Sequence, residues 1–183
     1  MTPHASPAPS PPSPWVQRWS ALVPEGATVL DLACGHGRHL RWFAQRGCRV
    51  TGVDRDAAAL AASTGLGELI TADVENGPWP LPGRRFDAVV VTHYLWRALL
   101  PVIVDSVAEG GVLVYETFAA GNETVGKPSN PDFLLRPGEL LQACAGLRTV
   151  AYEDGFLDAP PRFVQRIAAV REAAGAGPKR HPL

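Results

Sequence analysis

The stretch from Thr28 to Phe43, TVLDLACGHGRHLRWF, restricts the possible folds of this chain more than any other. Val29, Leu30 and Leu32 form a short apolar run of strand type, with Asp31 inside it. A loop of small residues follows, Ala33-Cys34-Gly35-His36-Gly37. His39, Leu40, Trp42 and Phe43 then read as a helix with an apolar side. Strand, glycine loop and helix form the opening unit of a nucleotide-binding α/β sheet. The glycines let the backbone turn sharply and let a ligand approach without meeting a Cβ. The helix N-terminus beyond them offers free N–H groups and a positive dipole end. His36, Arg38 and His39 are read as solvent-facing.

The same alternation runs on. Arg49–Val53, Glu68–Ala72, Phe86–Val91 and Val112–Phe118 read as strands. Helices are predicted over Asp56–Thr64, Tyr94–Leu100 and Pro101–Glu109. Strand starts recurring roughly every 20–25 residues with helices between them predict a parallel sheet. The apolar runs of the first, fourth and fifth strands suit strands covered on both faces. Pro14 suits the first turn of a short helix that carries Trp15, Arg18, Trp19 and Leu22. Pro137–Ala145 is predicted as a helix. Leu147–Tyr152 and Arg162–Val170 are strands joined too closely for a crossover helix, so they pair antiparallel. The expected fold is α/β: a Rossmann-like, doubly wound, mostly parallel sheet with a final antiparallel pair.

Composition sets the outer limits. A formal net charge of -1 over 183 residues gives no electrostatic footprint for nucleic acid or an anionic membrane. Cys34, Cys48 and Cys144 lack metal-ligand spacing and read as buried residues of a reducing, cytoplasmic compartment; no metal site is expected. No apolar run is long enough to span a bilayer. Six of the 18 prolines fall in the first 14 residues. Residues 1–13 are therefore predicted to be a disordered tail without the features of a secretory signal. Residues 14–174 form the domain, and 175–183 are a second tail.

Asp31, Asp54 and Asp73 fall at or just inside the carboxyl ends of consecutive strands, where open α/β sheets bind ligands. A dinucleotide fingerprint, G-x-G-x-x-G, is only partly met: Gly35 and Gly37 match, but Leu40 stands third. A pyrophosphate would be repelled by Asp31, whereas a ligand carrying an ammonium group would be attracted.

The chain resembles the class I S-adenosylmethionine-dependent methyltransferases. The likeness lies in V-L-D-L-A-C-G-H-G (Val29 to Gly37), V-T-G-V-D (ending at Asp54), T-A-D-V (with Asp73) and F-D-A-V-V-V-T (Phe86 to Thr92). Through F-L-L-R-P-G-E-L it also resembles the tellurite-resistance and thiopurine-type small-molecule branch. The resemblance implies S-adenosyl-L-methionine as cofactor, held by Asp31, Ala33, Gly35, Gly37, Asp54, Arg55, Asp73, Val74 and Thr92. It places Asp31 near the methionine ammonium, Asp54 on the ribose hydroxyls and Asp73 on the adenine amino group. It puts Thr92 and His93 where the transferable methyl would sit. By position His93 is the candidate base, and His93, Tyr94 and the lone carboxylate Glu116 are candidate substrate residues, Glu116 alternatively binding the loop after its strand. The acceptor is expected to be a small molecule, not a nucleic acid: no N-P-P-Y or D-P-P-Y follows the fourth strand, where Thr92-His93-Tyr94-Leu95 stands. Two other readings stay open, a cofactor-binding protein without turnover and an RNA or protein methyltransferase. The long polar segment Ala119–Arg136 is expected to act as a lid over the site.

Overall fold

A computed structural model describes residues 10–175, 177, 180 and 181. Seven strands form one sheet: β1 (Thr28–Leu32), β2 (Arg49–Asp54), β3 (Glu68–Thr71), β4 (Phe86–Thr92), β5 (Val107–Phe118), β6 (Arg148–Asp158) and β7 (Pro161–Val170). Their spatial order is β3-β2-β1-β4-β5-β7-β6. The first five run parallel, whereas β7 is antiparallel to both of its neighbours. The chain winds outward from β1 to β3, then returns to the other side of β1 as β4 and β5. This reversal opens a crevice beyond the carboxyl ends of β1 and β4, where such sheets bind ligands.

The central strands are buried on both faces, and alternation along them divides the core in two. Leu30, Leu32, Val89, Val91, Leu113 and Tyr115 pack on one face, which is covered by α4 (Leu100–Asp105) and α5 (Glu139–Ala143). Val29, Val90, Val112 and Val114 pack on the other, against Trp15 and Trp19 of α1 (Pro14–Trp19) and Leu40 and Phe43 of α2 (Arg38–Gln45). The short α3 (Ala57–Ala61) adds Leu60 to this second layer. Strand period places Asp31 on the α2 side, with Val29.

Several predicted boundaries move, each for a local reason. Tyr94–Trp96 is not helical; the chain stays irregular until Arg97. The Pro101–Glu109 helix ends at Asp105, and β5 begins at Val107, not Val112. Gly110 and Gly111 form a bulge inside β5, where pairing jumps from Phe86↔Val107 to Ala88↔Val112. Gly110 has φ 78°, and a Cβ on Gly111 would lie 2.9 Å from the Asp87 carbonyl oxygen. The two glycines thus shape a strand rather than end a helix. Pro137 precedes α5, whose N-cap is Gly138 at φ 74°. Asp56 caps α3, its carboxylate accepting from the Ala58 and Ala59 N–H groups.

The amino-terminal boundary also shifts. Ser13, expected in the tail, is 4% exposed and caps α1, its hydroxyl accepting from the Trp15 N–H. Residues 1–9 of that tail, and residues 176, 178, 179, 182 and 183 of the second, lie outside the described residues.

Candidate active site

The loop after β1 is held from both sides. The Cys34 N–H donates to the Val53 carbonyl, and the Gly35 N–H donates to Asp54 Oδ2 at 2.7 Å. The His36 carbonyl accepts from Ser63 Oγ and from Arg41. Ala33 adopts φ 54° and Gly35 φ 52°. A Cβ on Gly35 would meet nothing within 4 Å, so the backbone there borders open space that a ligand can enter. Gly37 differs. Its φ is 69°, but a Cβ there would collide with Ser63 Oγ at 1.9 Å. Gly37 thus packs against Ser63, just beyond α3, in a left-handed conformation that favours glycine. Gly52 on β2 provides the close helix–strand contact: a Cβ there would lie 2.6 Å from Leu40 Cδ1.

Three cavities adjoin at the carboxyl edge of the sheet. A narrow one of about 150 Å³ is bounded by Leu32, Asp54, Arg55, Asp73, Val74 and Tyr94. A wider cleft of about 720 Å³ runs along the loop past Ala33, Gly35, Arg38, Thr92 and His93. A third of about 330 Å³ lies between His93, Tyr94, Phe118, Pro128 and Phe133. Ala33 borders the first and second, His93 the second and third, and Tyr94 the first and third.

The three acids meet different surroundings. Asp31 is 1% exposed, and neither carboxylate oxygen has a hydrogen-bond partner among the described residues. Burial raises its pKa to about 8, against the lowering effect of Arg38. Asp54 is half-buried. Each of its oxygens accepts one backbone N–H, from Gly35 and Asp56, and each keeps a lone pair for another donor. Asp73 is exposed and closes a turn, accepting from the Glu75 and Asn76 N–H groups and from Asn76 Nδ2. The Asn76 side chain, then the backbone N–H groups, holds its pKa below the usual carboxylate value.

On the far side of the loop, His93 follows β4 with φ 54°, its N–H donating to the Glu116 carbonyl. Its ring lies 5.1 Å from that of Phe118. Partial desolvation, then the Arg38 charge, lowers its pKa, so the imidazole is neutral near pH 7. The Tyr94 hydroxyl is buried near Glu75 and makes no direct hydrogen bond among the described residues.

Other expectations are corrected. Glu116 is not a lone carboxylate turned toward an acceptor. It is 2% exposed, accepts from Ser13 Oγ at 2.7 Å and pairs with Arg166 at 3.3 Å. Arg18 on α1 reaches Glu153 of β6 at 3.9 Å. His39 does not face solvent but is 1% exposed. Arg38 is half-buried in the cleft wall, 3.4 Å from Thr92 Oγ1; its position at the helix start, next to the glycine loop, was the available signal. His36 is exposed as expected.

Residues 29–111 match the family described as a methyltransferase domain. The chain is 30% identical over 174 residues to the malonyl-[acyl-carrier protein] O-methyltransferase of Enterobacter lignolyticus, covering 82% of this chain and 64% of that protein. A 42-residue stretch is 52% identical to the ribosomal RNA small subunit methyltransferase H of Gemmatimonas aurantiaca, covering 23% of this chain and 13% of that one. The chain thus spans less than two thirds of either relative's length. Its fold matches TehB from Haemophilus influenzae with a TM-score of 0.68 and 20% identity, over 87% of this chain and 61% of that one. It also matches a TehB-like S-adenosylmethionine-dependent methyltransferase from Corynebacterium glutamicum with a TM-score of 0.64 and 18% identity, over 86% and 87%. The match over residues 29–111 and the shared fold make the chain similar to the class I S-adenosylmethionine-dependent methyltransferases.

The cofactor of that class is S-adenosyl-L-methionine, and the residues present suit it. Asp31 offers a buried carboxylate with no direct hydrogen bond among the described residues, Gly35 borders space that a Cβ would narrow, and Asp54 has one free lone pair on each oxygen.

Proposed function

We propose that this protein transfers the methyl group of S-adenosylmethionine to a small-molecule acceptor. The observation that carries this reading is the third cavity. It holds about 330 Å³, joins the cofactor cleft at His93, and is walled by Phe118, Pro128 and Phe133. A pocket of that size, open on one side, has room for a small molecule beside the cofactor cleft.

When bound, the cofactor supplies a methyl group already activated on a sulfonium. The protein's task is to bind, align and desolvate. Asp31 faces the ammonium, Asp54 accepts from the ribose hydroxyls, and Arg55, Asp73 and Val74 border the adenine. Ala33, Gly35 and Thr92 line the path between them, and Gly37 supports the loop from behind. His93 stands where the two chambers meet. Its neutral imidazole takes a proton from an acceptor hydroxyl, amine or thiol as the nucleophile attacks. Tyr94 offers its buried hydroxyl to cofactor or acceptor.

The test is to incubate the protein with isotopically labelled S-adenosylmethionine and a small-molecule extract, then identify labelled products by mass spectrometry. Label should enter a small molecule, and His93→Asn should slow that transfer by about 100-fold or more with cofactor affinity unchanged. Cofactor binding with no transfer to any small molecule, or label entering only RNA or protein, would overturn the proposal.

A further inference from the structure

A chain of buried polar groups runs beneath the cofactor cleft. His39 on α2 accepts the Ser13 N–H through Nε2 at 3.1 Å. Ser13 in turn donates its hydroxyl to Glu116 on β5 at 2.7 Å. The opposite nitrogen of the ring, Nδ1, lies 3.8 Å from Asp31 Oδ2. Asp31, His39, Ser13 and Glu116 are all at most 4% exposed.

The Ser13 N–H can meet Nε2 only if that nitrogen carries no proton. The neutral ring must then hold its single proton on Nδ1, the nitrogen facing Asp31. The ring is neutral: burial first, then Arg38 and His93, lowers its pKa to about 3. At 3.8 Å the pair is not hydrogen-bonded, and a hydrogen bond requires the carboxylate to turn toward Nδ1. The other charged groups acting on Asp31 are Arg38 on α2 and Asp54 on β2.

We infer that His39 is a positioning residue for the cofactor: its Nδ1–H orients the Asp31 carboxylate toward the cofactor's ammonium, and the Ser13 backbone sets the tautomer that allows this. The inference rests on the reading of Asp31 as the ammonium's partner. The opposite tautomer would turn a lone pair toward the carboxylate and repel it.

The test compares two ligands by calorimetry. S-adenosylhomocysteine carries the amino-acid portion, and 5′-methylthioadenosine lacks it. His39→Leu should weaken S-adenosylhomocysteine about tenfold, the scale of one hydrogen bond to a charged group, and leave 5′-methylthioadenosine unchanged. His39→Asn, close to leucine in size but with a donor near the Nδ1 position, should restore most of the loss. Asp31→Asn should also weaken only S-adenosylhomocysteine, and adding His39→Leu to it should cost nothing more. If Asp31→Asn has no effect, the ammonium reading fails. If Asp31→Asn weakens binding and His39→Leu does not, that reading stands and the role of His39 falls. Equal losses for both ligands in His39→Leu would reduce His39 to packing and overturn the inference. A nitrogen-15 spectrum of the unaltered protein gives a check that needs no variant: a proton found on Nε2 would overturn it as well.

Discussion

On the proposed reading of the site, Asp31 is a buried acid that couples cofactor binding to pH. Burial raises its carboxyl from 3.8 to about 8 in the unliganded protein. The folded state therefore binds the proton more tightly than the unfolded one. The stability this contributes is complete below about pH 3.8 and is lost as pH rises through about 8. Asp31→Asn should consequently raise the melting temperature of the unliganded protein near pH 9 and change it little near pH 4. A bound ammonium needs the carboxylate, so S-adenosylhomocysteine should displace a proton near pH 7 and bind more tightly as pH rises toward 8. Calorimetry in buffers of different ionisation enthalpy measures that proton, and Asp31→Asn should abolish it. The two loop glycines give a second contrast. Gly37→Ala adds both left-handed strain and the collision with Ser63, and should lower stability by more than the roughly 1–2 kcal/mol of conformational cost alone. Gly35→Ala carries only the strain, but its Cβ enters the cleft. It should stay folded and bind cofactor more weakly; urea titration and calorimetry separate the two effects.

Among the elements, the segment from Ala119 to Arg136 is the one whose behaviour matters most. It is tied at both ends. Asn122 is 1% exposed, donates to the Pro128 carbonyl and accepts from the Phe163 N–H. Arg97 pairs with Glu139 and donates to the carbonyls of Asp132 and Leu134, while Leu134 and Leu135 are buried. Between these anchors, residues 123–127 are exposed, and Pro128 and Phe133 wall the acceptor chamber. Asn122→Ala removes the partner of the half-buried Phe163 N–H and the bond to the Pro128 carbonyl, and should cost about 1–2 kcal/mol of stability, read by chemical unfolding. Shortening the segment between Gly121 and Ser129 should reduce turnover about tenfold or more, near 1.4 kcal/mol of barrier, without changing cofactor affinity. Normal turnover in the shortened protein would leave the segment a structural insertion with no gating role.

At the scale of the whole molecule, Glu116 and Arg166 fasten the amino-terminal helix to the antiparallel end of the sheet. Glu116 has a 3% exposed side chain, and Arg166 bridges it to Glu153 while stacking 4.8 Å over the Trp15 ring. Arg166→Ala strands a buried carboxylate and should destabilise the fold by about 3–5 kcal/mol. Arg166→Ala with Glu116→Gln should recover part of that loss, since no buried charge then remains unpaired. Truncation gives a related check. A chain beginning at Pro14 lacks the Ser13 cap and its links to His39 and Glu116, and should melt lower than one beginning at Ser10. Equal melting temperatures would show that Ser13 contributes nothing to the seating of α1.

The sequence by itself determined the parallel sheet, the place of the glycine loop, the three acids at its edge and the antiparallel closing pair. These follow from local causes: apolar runs, turn residues and connection lengths act within a few residues of one another. Only the tertiary structure decided which polar residues are buried and what they meet. His39 and Glu116 read as solvent-facing and acceptor-facing because nothing adjacent in the chain marks their partners. Those partners lie 26 and 103 residues away, both at Ser13. The contact that crowds position 37 likewise comes from Ser63, and the bulge at Gly110-Gly111 from the neighbouring strand β4. Long-range contacts of this kind leave no periodic trace in a sequence, because packing between elements selects them after each element has formed.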